Sequence, residues 1–374
     1  VDRRQRQMCI RDRLIYPRLI KAIMSRVFSI KISVLLFGMT LISFSSISSA
    51  EVLRVGALKY GTVNWELDVI KRHGLDKKHG FQLEVLELGS PHATVVALQG
   101  GRVDLIVNDW VWVNKQKNTQ RDYGYSPYST EIGGMVVAAD SDIHSLADLR
   151  GKRIGVAGGP VDKGWLLFRA YATEKLGVDL ADINNVKYAA PPLLNHLLLN
   201  GQLDAVINYW HYNARLLGEG MRSLVSTEQL LSALGFDKKV PMLGWVFDRR
   251  QAESRPELMN AFFAASFEAK ALLTSSDTEW ETIRPLLKAD NDQVFLALRD
   301  AYRAGVPDPL SHDDAAAIRK IYDILYPPMN QGVAAESDTP VMMRVKNSEP
   351  NKRNNNNKFD EGMFWWQFLR HQES

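Results

Sequence analysis

The sequence predicts an α/β fold in two similar lobes, each built on a mostly parallel sheet. Three observations lead to this prediction. Short apolar runs alternate with helical patterns along the chain, a helix–strand unit recurs one hundred positions later, and the part after residue 50 is long enough for two cores. In sheets of this kind, ligands bind beyond the carboxyl ends of the strands.

The predicted strands are short apolar runs bounded by polar or glycine-containing turns. They are Val52–Ala57, Gln82–Leu86, Asp104–Val107, Gly134–Ala138, Arg153–Val156, Val186–Tyr188, Ala205–Ile207 and Gly244–Asp248. Helical patterns follow most of these strands. The predicted helices are Trp65–His73, His92–Gln99, Trp165–Leu176, Leu193–Asn200 and Tyr212–Leu217, followed by a largely helical stretch from Arg255 to about Tyr326.

An internal repeat supports two lobes. The stretches GRVDLIVNDW (101–110) and GQLDAVINYW (201–210) share Gly, Asp, Asn and Trp at the same positions, and Pro91 and Pro191 precede them at the same offset. Each copy predicts a helix, a glycine stop, a short buried strand and Asn-x-Trp at the strand's exit. Two copies favour paired lobes over a solenoid, which needs more repeats. Chance likeness between two common helix–strand units is the alternative.

The first fifty residues are predicted to lie outside this fold. Arg3–Arg13, RRQRQMCIRDR, resembles a translated sequencing-library adapter, so we interpret residues 1–23 as an upstream artefact. Residues 24–50 have the basic start, apolar centre and small-residue end of a secretory signal peptide, with a retained membrane anchor as the alternative. The only cysteine, Cys9, lies in the adapter-like stretch. We therefore expect no disulfide, thiol nucleophile or cysteine metal site.

The charge of the chain changes sign when this leader is set aside. The chain has 46 Lys and Arg against 43 Asp and Glu, and residues 1–50 hold nine and two of them. The remaining 37 basic and 41 acidic residues give a net charge of −4. The basic character therefore belongs to the leader, and no nucleic-acid partner is predicted.

The last part of the chain, residues 333–374, has an uncertain assignment. Its polar run NSEPNKRNNNNK is typical of a linker or a disordered segment. The stretch MFWWQFLR then returns as an apolar patch. This patch either packs back on the body or, like the front of the chain, is mistranslated DNA.

Three stretches carry a resemblance to a known family. They are LRVGALKYGTVNWELD, FQLEVLELGSPHATVVALQGGRVDLIV and SDIHSLADLRGKRIGVAGGPVDKGW. Over about residues 51–330 the chain resembles the periplasmic substrate-binding proteins of ABC importers, in the nitrate/sulfonate/taurine group that also includes thiamine-precursor binders. AFFAASFEAKALL fits a later helix of that group.

The resemblance implies the type II periplasmic-binding-protein fold, in which two α/β lobes are joined by a two-strand hinge with a ligand cleft between them. Lobe I is expected at 51–140 plus 242–332, and lobe II at 141–241. The hinge is expected near Val136–Ala139 and Leu243–Val246.

The resemblance also implies a function and partners. A monomeric periplasmic protein would capture a small organic solute and deliver it to an ABC permease with its cytoplasmic ATPase, using no cofactor and no metal. The alternatives are a same-fold biosynthetic enzyme, of the menaquinone or thiamine-pyrimidine type, and a ligand-sensing partner of a membrane receptor. Neither H-E-x-x-H, C-x-x-C, G-x-S-x-G nor a P-loop occurs after residue 50, which argues against an enzyme.

The candidate ligand contacts are the polar and aromatic residues at the strand exits and near the hinge. They are Tyr60, Thr62, Asn64, Trp65, Ser90, His92, Asn108, Asp109, Trp110, Gly159, Asp162, Lys163, Trp165, Asn208, Trp210 and Trp245. The helix starts after Ser90 and Gly159 favour a sulfonate or another anion, with simple capping as the alternative. The indole rings and Asp109 favour an amine or aromatic ligand, such as a thiamine-precursor pyrimidine.

A taurine-like ligand would satisfy both kinds of contact. Its ammonium would lie near Asp109 and its sulfonate at a helix start. The repeat places Trp110 and Trp210 at the same exit in opposing lobes. We therefore expect Trp110→Ala and Trp210→Ala each to weaken binding by about tenfold or more while leaving the fold intact.

Overall fold

The structure, a computed structural model, describes residues 50–119, 121–236, 238–326 and 359–365. The predicted leader and most of the predicted tail lie outside these residues. The described chain contains ten strands, arranged in two five-stranded sheets. The strands are β1 (Glu51–Leu58), β2 (Phe81–Leu88), β3 (Leu105–Asp109), β4 (Tyr123–Ser129), β5 (Gly133–Val137), β6 (Arg153–Val156), β7 (Asn185–Tyr188), β8 (Ala205–Tyr209), β9 (Arg222–Ser226) and β10 (Leu243–Asp248).

The two sheets share one topology. The first has the strand order β2-β1-β3-β10-β4 and the second has the order β7-β6-β8-β5-β9. In each sheet four strands run in one direction, and the fourth strand in the order runs antiparallel to both of its neighbours. The carboxyl ends of β1, β2 and β3 therefore meet at one edge of the first sheet, and those of β6, β7 and β8 meet at one edge of the second.

Helices connect the strands and cover the sheets. In chain order they are α1 (Val63–Arg72), α2 (Leu75–Lys78), α3 (Pro91–Gln99), α4 (Trp110–Gln116), α5 (Lys163–Leu176), α6 (Leu180–Ile183), α7 (Pro191–Leu199), α8 (Trp210–Gly218), α9 (Thr227–Ala233), α10 (Arg249–Ser254), α11 (Pro256–Ser275), α12 (Asp277–Leu287), α13 (Asp292–Ala304) and α14 (His312–Leu325). No helix in the described part of the chain is both long and apolar enough to cross a membrane.

All eight predicted strands are present, while β4 and β9 were not predicted. Both missed strands lie at the edges of their sheets. Strand β4 has the sequence YGYSPYS, which lacks aliphatic residues and contains Pro127. An edge strand tolerates proline because one of its sides needs no ladder hydrogen bond. Its pattern therefore resembles a loop.

The chain crosses between the sheets at places other than the predicted hinge. Strand β4 ends at Ser129 in the first sheet and β5 begins at Gly133 in the second, so the first crossing is at residues 130–132. The return lies between α9 and β10. The predicted hinge segments, Val136–Ala139 and Leu243–Val246, fall instead largely within β5 and β10. The second sheet therefore starts before the expected boundary at residue 141. The sequence did not predict this, because an extended run has the same residue pattern in a strand and in a hinge.

Gly133 fixes the first crossing. Its φ angle is 127°, and a Cβ at this position would lie 1.9 Å from the carbonyl oxygen of Asn208. A side chain there is excluded both by the backbone conformation and by the close approach of β8.

The apolar cores include residues from elements of both sheets. Two clusters surround the first sheet and two surround the second. The clusters of the first sheet also take in Trp210 and Ala214 from α8, and Leu166 and Leu167 from α5. Helices that follow second-sheet strands thus pack into the first lobe.

Helix α8 holds the lobes together on one side. At its crossing with α13, a Cβ on Gly218 would lie 2.6 Å from Cα of Val294, so the two helices are in close contact. The Arg215 guanidinium donates hydrogen bonds to the carbonyl oxygens of Leu287 (2.6 Å) and Lys288 (2.9 Å) at the end of α12. These bonds satisfy carbonyls that the helix end leaves free.

Candidate functional site

The repeated Asn-x-Trp units form matching turns in the two lobes. The Asn108 side-chain oxygen accepts a hydrogen bond from the Asp109 amide (2.9 Å), and the Asn208 oxygen accepts one from the Tyr209 amide (2.8 Å). One turn joins β3 to α4 and the other joins β8 to α8. The sequence repeat is thus a structural repeat, and it places residues 109 and 209 at equivalent strand exits.

The aspartate shared by the two repeat units binds an arginine of the neighbouring parallel strand, at the point where β3 or β8 begins. Asp104 accepts a hydrogen bond from the backbone amide of Arg54 (2.8 Å), and Asp204 accepts one from that of Arg153 (2.7 Å). In both pairs the guanidinium also binds the carboxylate. The shared aspartates of the two units are therefore structural residues.

An ion pair joins the two lobes at the strand exits. The Asp109 carboxylate follows β3 of the first sheet, and the Lys163 ammonium begins α5, which follows β6 of the second. Lys163 Nζ lies 2.5 Å from Asp109 Oδ2. The other carboxylate oxygen of Asp109 caps α4 by accepting a hydrogen bond from the Trp112 amide (2.8 Å). Asp109 thus has one oxygen held by its own lobe and one that faces the opposite lobe.

The surroundings of this pair change the pKa values of Lys163 and of its neighbour Asp162. Burial by itself would lower the pKa of Lys163, but the charges of Asp109 and Asp162 outweigh burial and raise it. Asp162 caps α5 by accepting a hydrogen bond from the Trp165 amide (3.2 Å). Burial raises the pKa of Asp162, and Lys163 opposes this shift. Lys163 is therefore held as a cation between two carboxyl groups.

Residues that sequence reasoning did not select complete this cluster. Burial raises the pKa of Tyr326 to about 12, and the charges of Lys163 and Asp109 act on its hydroxyl. Lys115 Nζ lies 4.5 Å from the centre of the Tyr326 ring. Burial raises the pKa of Tyr209, and the charges of the same cluster also act on it. Tyr326 follows α14, far along the chain, and no motif links it to Asp109. Tyr209, in contrast, was signalled by the repeat.

A glycine pair lies next to the cluster, in the turn before α5. Gly158 and Gly159 have φ angles of 76° and 88°. A Cβ on Gly158 would lie 2.6 Å from Asp162 Oδ2 and 3.0 Å from the Tyr209 hydroxyl, whereas one on Gly159 would meet no atom within 4 Å. Gly158 thus lets the α5 turn approach Tyr209, and Gly159 leaves open space above its backbone.

The loop between β1 and α1 is held mainly by its own contacts. The Asn64 side-chain amide donates to the carbonyl of Leu58 (2.7 Å), which closes the turn, and Thr62 is buried. Tyr60 is 70% exposed, and its ring lies 3.9 Å from Lys288 Nζ. Of the selected residues in this loop, Tyr60 therefore offers the most accessible contact.

The β2 exit is open to solvent. Ser90 caps α3 by accepting a hydrogen bond from the Ala93 amide (3.2 Å), and both Ser90 and His92 are exposed. In the opposite lobe Asn208 is 2% exposed and donates to the carbonyl of Pro191 (3.0 Å). Ser90 and Asn208 therefore have structural contacts of their own in this structure.

The selected tryptophans lie in the cores. Trp110, Trp165 and Trp245 are at most 1% exposed, and Trp65 is 4% exposed. Trp210 is 8% exposed and packs edge-on against Trp65, with ring centres 5.9 Å apart. The conformation of the turn before a helix decides whether a Trp at the helix start faces a pocket or the core. The sequence does not reveal that conformation.

The burial of these rings changes one expectation about variants. Trp110→Ala and Trp210→Ala were expected to leave the fold intact. Removing a fully packed Trp side chain costs about 3–5 kcal/mol of the free energy of unfolding. Loss of stability is now expected to accompany any loss of binding in both variants.

A small cavity lies where α8 packs against the first lobe. It has a volume of about 10 Å³ and is lined by Tyr128, Ser129, Trp210, Tyr302, Gly305 and Val306. This volume holds about one water molecule. This cavity is therefore too small for a solute, whereas a wider cleft of about 440 Å³ lies between helices α7 and α8 and residues Asp290 and Val294.

A partly buried histidine predicts a pH dependence of stability. His211 follows Trp210, and its Nδ1 is buried without a hydrogen-bond partner. Burial, assisted by the charge of Arg215, lowers the pKa of His211 to about 3. Because the unfolded state then takes up the proton first, stability is full above pH 6.5 and falls as the pH drops toward 3, by about 1.4 kcal/mol per pH unit.

The histidine prediction is checked by urea unfolding at pH 7, 6 and 5. The variant His211→Phe should lose less stability than the wild-type protein over this range, because other titrating groups are common to both. Equal losses in the two proteins would show that His211 is protonated in the folded state.

The residues that the structure describes contain no group of three or more His, Cys, Asp or Glu side chains placed to hold a metal ion.

Comparisons with known proteins agree with this architecture. Among solved structures, the fold is similar to SsuA from Escherichia coli, a periplasmic aliphatic sulphonate binding protein (TM-score 0.61, 21% identity, 74% of this chain and 87% of that chain). It is also similar to the alkanesulfonate-binding protein SsuA from Xanthomonas axonopodis pv. citri bound to MOPS (TM-score 0.57, 22% identity, 74% and 94%). These likenesses show the fold, a type II periplasmic-binding-protein fold.

The sequence itself identifies the family. No curated protein matches it. The profile described as "NMT1/THI5 like" matches residues 69–274, more than half of the chain. The matched range begins in α1, includes the whole second sheet, and ends in α11. The chain therefore belongs to the NMT1/THI5-like family.

Proposed function

We propose that this protein is the solute-binding component of an ABC importer, which captures a small organic solute between its lobes and delivers it to a membrane permease. The Asp109–Lys163 pair is the observation that carries this proposal. The two charges come from opposite lobes and meet at the strand exits of both sheets. A solute that binds both charges would favour the closed form over the open one. Family membership and the sulfonate-binding proteins of similar fold support this function.

The charges of the cluster favour a ligand that carries an anion and an amine. Lys163, the first turn of α5 and the open backbone at Gly159 suit a sulfonate or carboxylate. Asp109 and Asp162 suit an ammonium group. A taurine-like aminosulfonate fits this set better than bare nitrate, which has no group for the carboxylates. The purely aromatic alternative loses support because the selected indoles lie in the cores.

A thermal-shift screen tests this proposal. The protein would be melted with taurine, alkane- and arylsulfonates, nitrate, aminopyrimidines, riboflavin and quaternary amines. Ligand at one hundred times its Kd adds about 2.7 kcal/mol to the free energy of unfolding, so a bound sulfonate should raise the melting temperature. A rise only with aminopyrimidines or riboflavin would move the ligand class to aromatic compounds. No rise with any compound would contradict solute binding of these classes.

Two further parts of the proposal have their own tests. Any hit should be recovered chemically unchanged by mass spectrometry, and its conversion would favour the enzyme alternative. We also propose export to the periplasm, since β1 begins at Glu51, the residue after the predicted cleavage site. The mature protein should then begin at Glu51 by intact mass, and an uncleaved leader would favour the anchor alternative.

A further inference from the structure

The apolar patch near the end of the chain has a docking place on the first lobe. Residues Phe359–Trp365, FDEGMFW, lie against it, and Phe359, Met363, Phe364 and Trp365 are each at most 7% exposed. We name these seven residues the docked segment. Each of its rings meets a ring of the body: Phe359 meets Tyr322 (5.3 Å between centres), Phe364 meets Tyr125 (5.9 Å) and Trp365 meets Phe247 (5.4 Å).

The docked segment also uses the free edge of the first sheet. Strand β4 is an edge strand, and its residue Tyr125 forms an isolated parallel bridge with Phe364. The Trp365 amide donates to the Tyr125 carbonyl (3.0 Å). Addition of an extended peptide to an exposed sheet edge, with side chains in adjacent pockets, is a known mode of peptide recognition.

Polar contacts fix the register of the segment. The Asp360 amide donates to the Asn114 side-chain oxygen (2.9 Å), and the Asp360 carboxylate pairs with Lys117. Glu361 pairs with Arg319 at 3.1 Å. The acidic residues of the segment thus meet basic residues on two different helical elements of the body, and the pairing complements the apolar pockets.

The docked segment packs against residues next to Asp109, Asp162, Lys163 and Tyr326, which we name the interlobe cluster. The ring of Phe359 lies 6.3 Å from that of Trp110, the residue after Asp109. Its other neighbour, Tyr322, lies 5.2 Å from Tyr326, which faces Lys163 and Asp109. One aromatic side chain of the segment therefore supports both the α4 start and the end of α14.

We propose that the groove formed by β4, α4 and α14 is a peptide-binding surface whose occupant is the chain's own Phe359–Trp365, and that its occupancy orders the Asp109–Trp110 turn. The surface recognises an acidic peptide with aromatic residues at both ends. Any effect of the segment on solute affinity rests on the proposed function, while the docking itself does not.

The test uses the full chain and a labelled synthetic peptide, FDEGMFW. The variant Phe364→Ala/Trp365→Ala removes two anchors of the attached segment. Because an attached segment outcompetes free peptide, the peptide should bind the variant at least about tenfold more tightly than the wild-type protein. The control peptide FDEGMAA should not bind either protein. Equal binding of the two peptides to the variant, or no binding of FDEGMFW, would overturn the proposal.

A second variant keeps the buried rings. Asp360→Lys places like charges beside Lys117 and should also raise peptide binding, and adding Lys117→Asp should restore the wild-type result. This reversal would not be seen if the first variant merely unfolds. If the charge changes leave peptide binding unaltered, the register assigned here is wrong.

Hydrogen exchange measures the coupling without any solute. Amides of α4 should exchange about tenfold faster in Phe364→Ala/Trp365→Ala, while those of α7 in the second lobe keep their rates. Unchanged exchange in α4 would contradict the ordering role. If a sulfonate binds the protein, its Kd should rise several-fold in the same variant. Peptide binding without binding of any compound in the thermal-shift screen would contradict the proposed function and leave the docking surface standing.

Discussion

Lys270→Ala is expected to lower the free energy of unfolding by about 3–5 kcal/mol, because it leaves the carboxylate of Glu66 buried without its cation. Glu66 is 0% exposed and Lys270 is 3% exposed. Their ion pair joins α1 to α11 in the core of the first lobe. Burial lowers the pKa of Lys270, and the Glu66 charge opposes that shift.

Other groups do not replace the lost cation. Glu66 also accepts hydrogen bonds from Ser266 (2.5 Å) and Tyr302 (3.4 Å), but both donors are neutral. Lys270 Nζ additionally lies 4.1 Å from the centre of the Tyr128 ring. The variant therefore loses a charge–charge contact and a cation–π contact together.

Urea unfolding of three variants measures this effect. The exposed pair Lys238–Asp313, with side chains 62% and 80% exposed, provides the control, and Lys238→Ala should leave the stability unchanged. The double variant Glu66→Leu/Lys270→Met should recover most of the loss, because it removes both charges. A loss in Lys270→Ala as small as that in Lys238→Ala would show that Glu66 is not buried as a charge.

Lys163→Gln is expected to weaken binding of an anionic solute by about tenfold or more, since a hydrogen bond to a charged group contributes about 1.5–3 kcal/mol. Lys163 is the cation that the second lobe contributes to the interlobe cluster. Isothermal titration with the best sulfonate from the thermal-shift screen measures the change. The proposed function would have to be abandoned for this site if the affinity stayed the same.

The same helix supplies the matched control. Lys175 lies near the other end of α5, is exposed and pairs with Glu174. Lys175→Gln removes the same charge from the same helix, and its affinity should equal that of the wild-type protein. Tighter binding in Lys163→Gln would mean that the Asp109–Lys163 pair competes with the ligand rather than binding it.

The sequence predicted the central strands because their environment dictates their composition. β1, β6 and β8 have a neighbouring strand on each side, so most of their residues are buried and apolar, with Arg54 and Arg153 among the exceptions. The repeat at 101–110 and 201–210 added the correspondence between the two lobes. Strands β4 and β9 escaped prediction because their sequences, YGYSPYS and RSLVS, place serine, proline or arginine among the apolar residues as a loop does, whereas the other two edge strands, β2 and β7, were predicted.

The candidate site was predicted in part. Asp109, Asp162 and Lys163 were selected because they follow strands whose carboxyl ends share an edge, and the structure brings these three together. Tyr326 and Lys115 were not selected, since they reach the cluster through the packing of α14 and α4. The indoles were selected for the same local reason as Asp109, yet they lie in the cores.

The sequence by itself determined the alternation of strands and helices, the duplicated unit, the family and the strand exits at which a ligand could bind. These features depend on local pattern and on spacing along the chain. Only the tertiary structure decided which residues face each other across the lobes, where the chain crosses between sheets, and where Phe359–Trp365 docks. Those outcomes depend on contacts between residues far apart in the sequence, such as Lys115 with Tyr326 (211 positions apart) and Asn114 with Asp360 (246 positions apart). Contacts between residues so far apart produce no repeating pattern of residue types along the chain, so the sequence alone does not predict them.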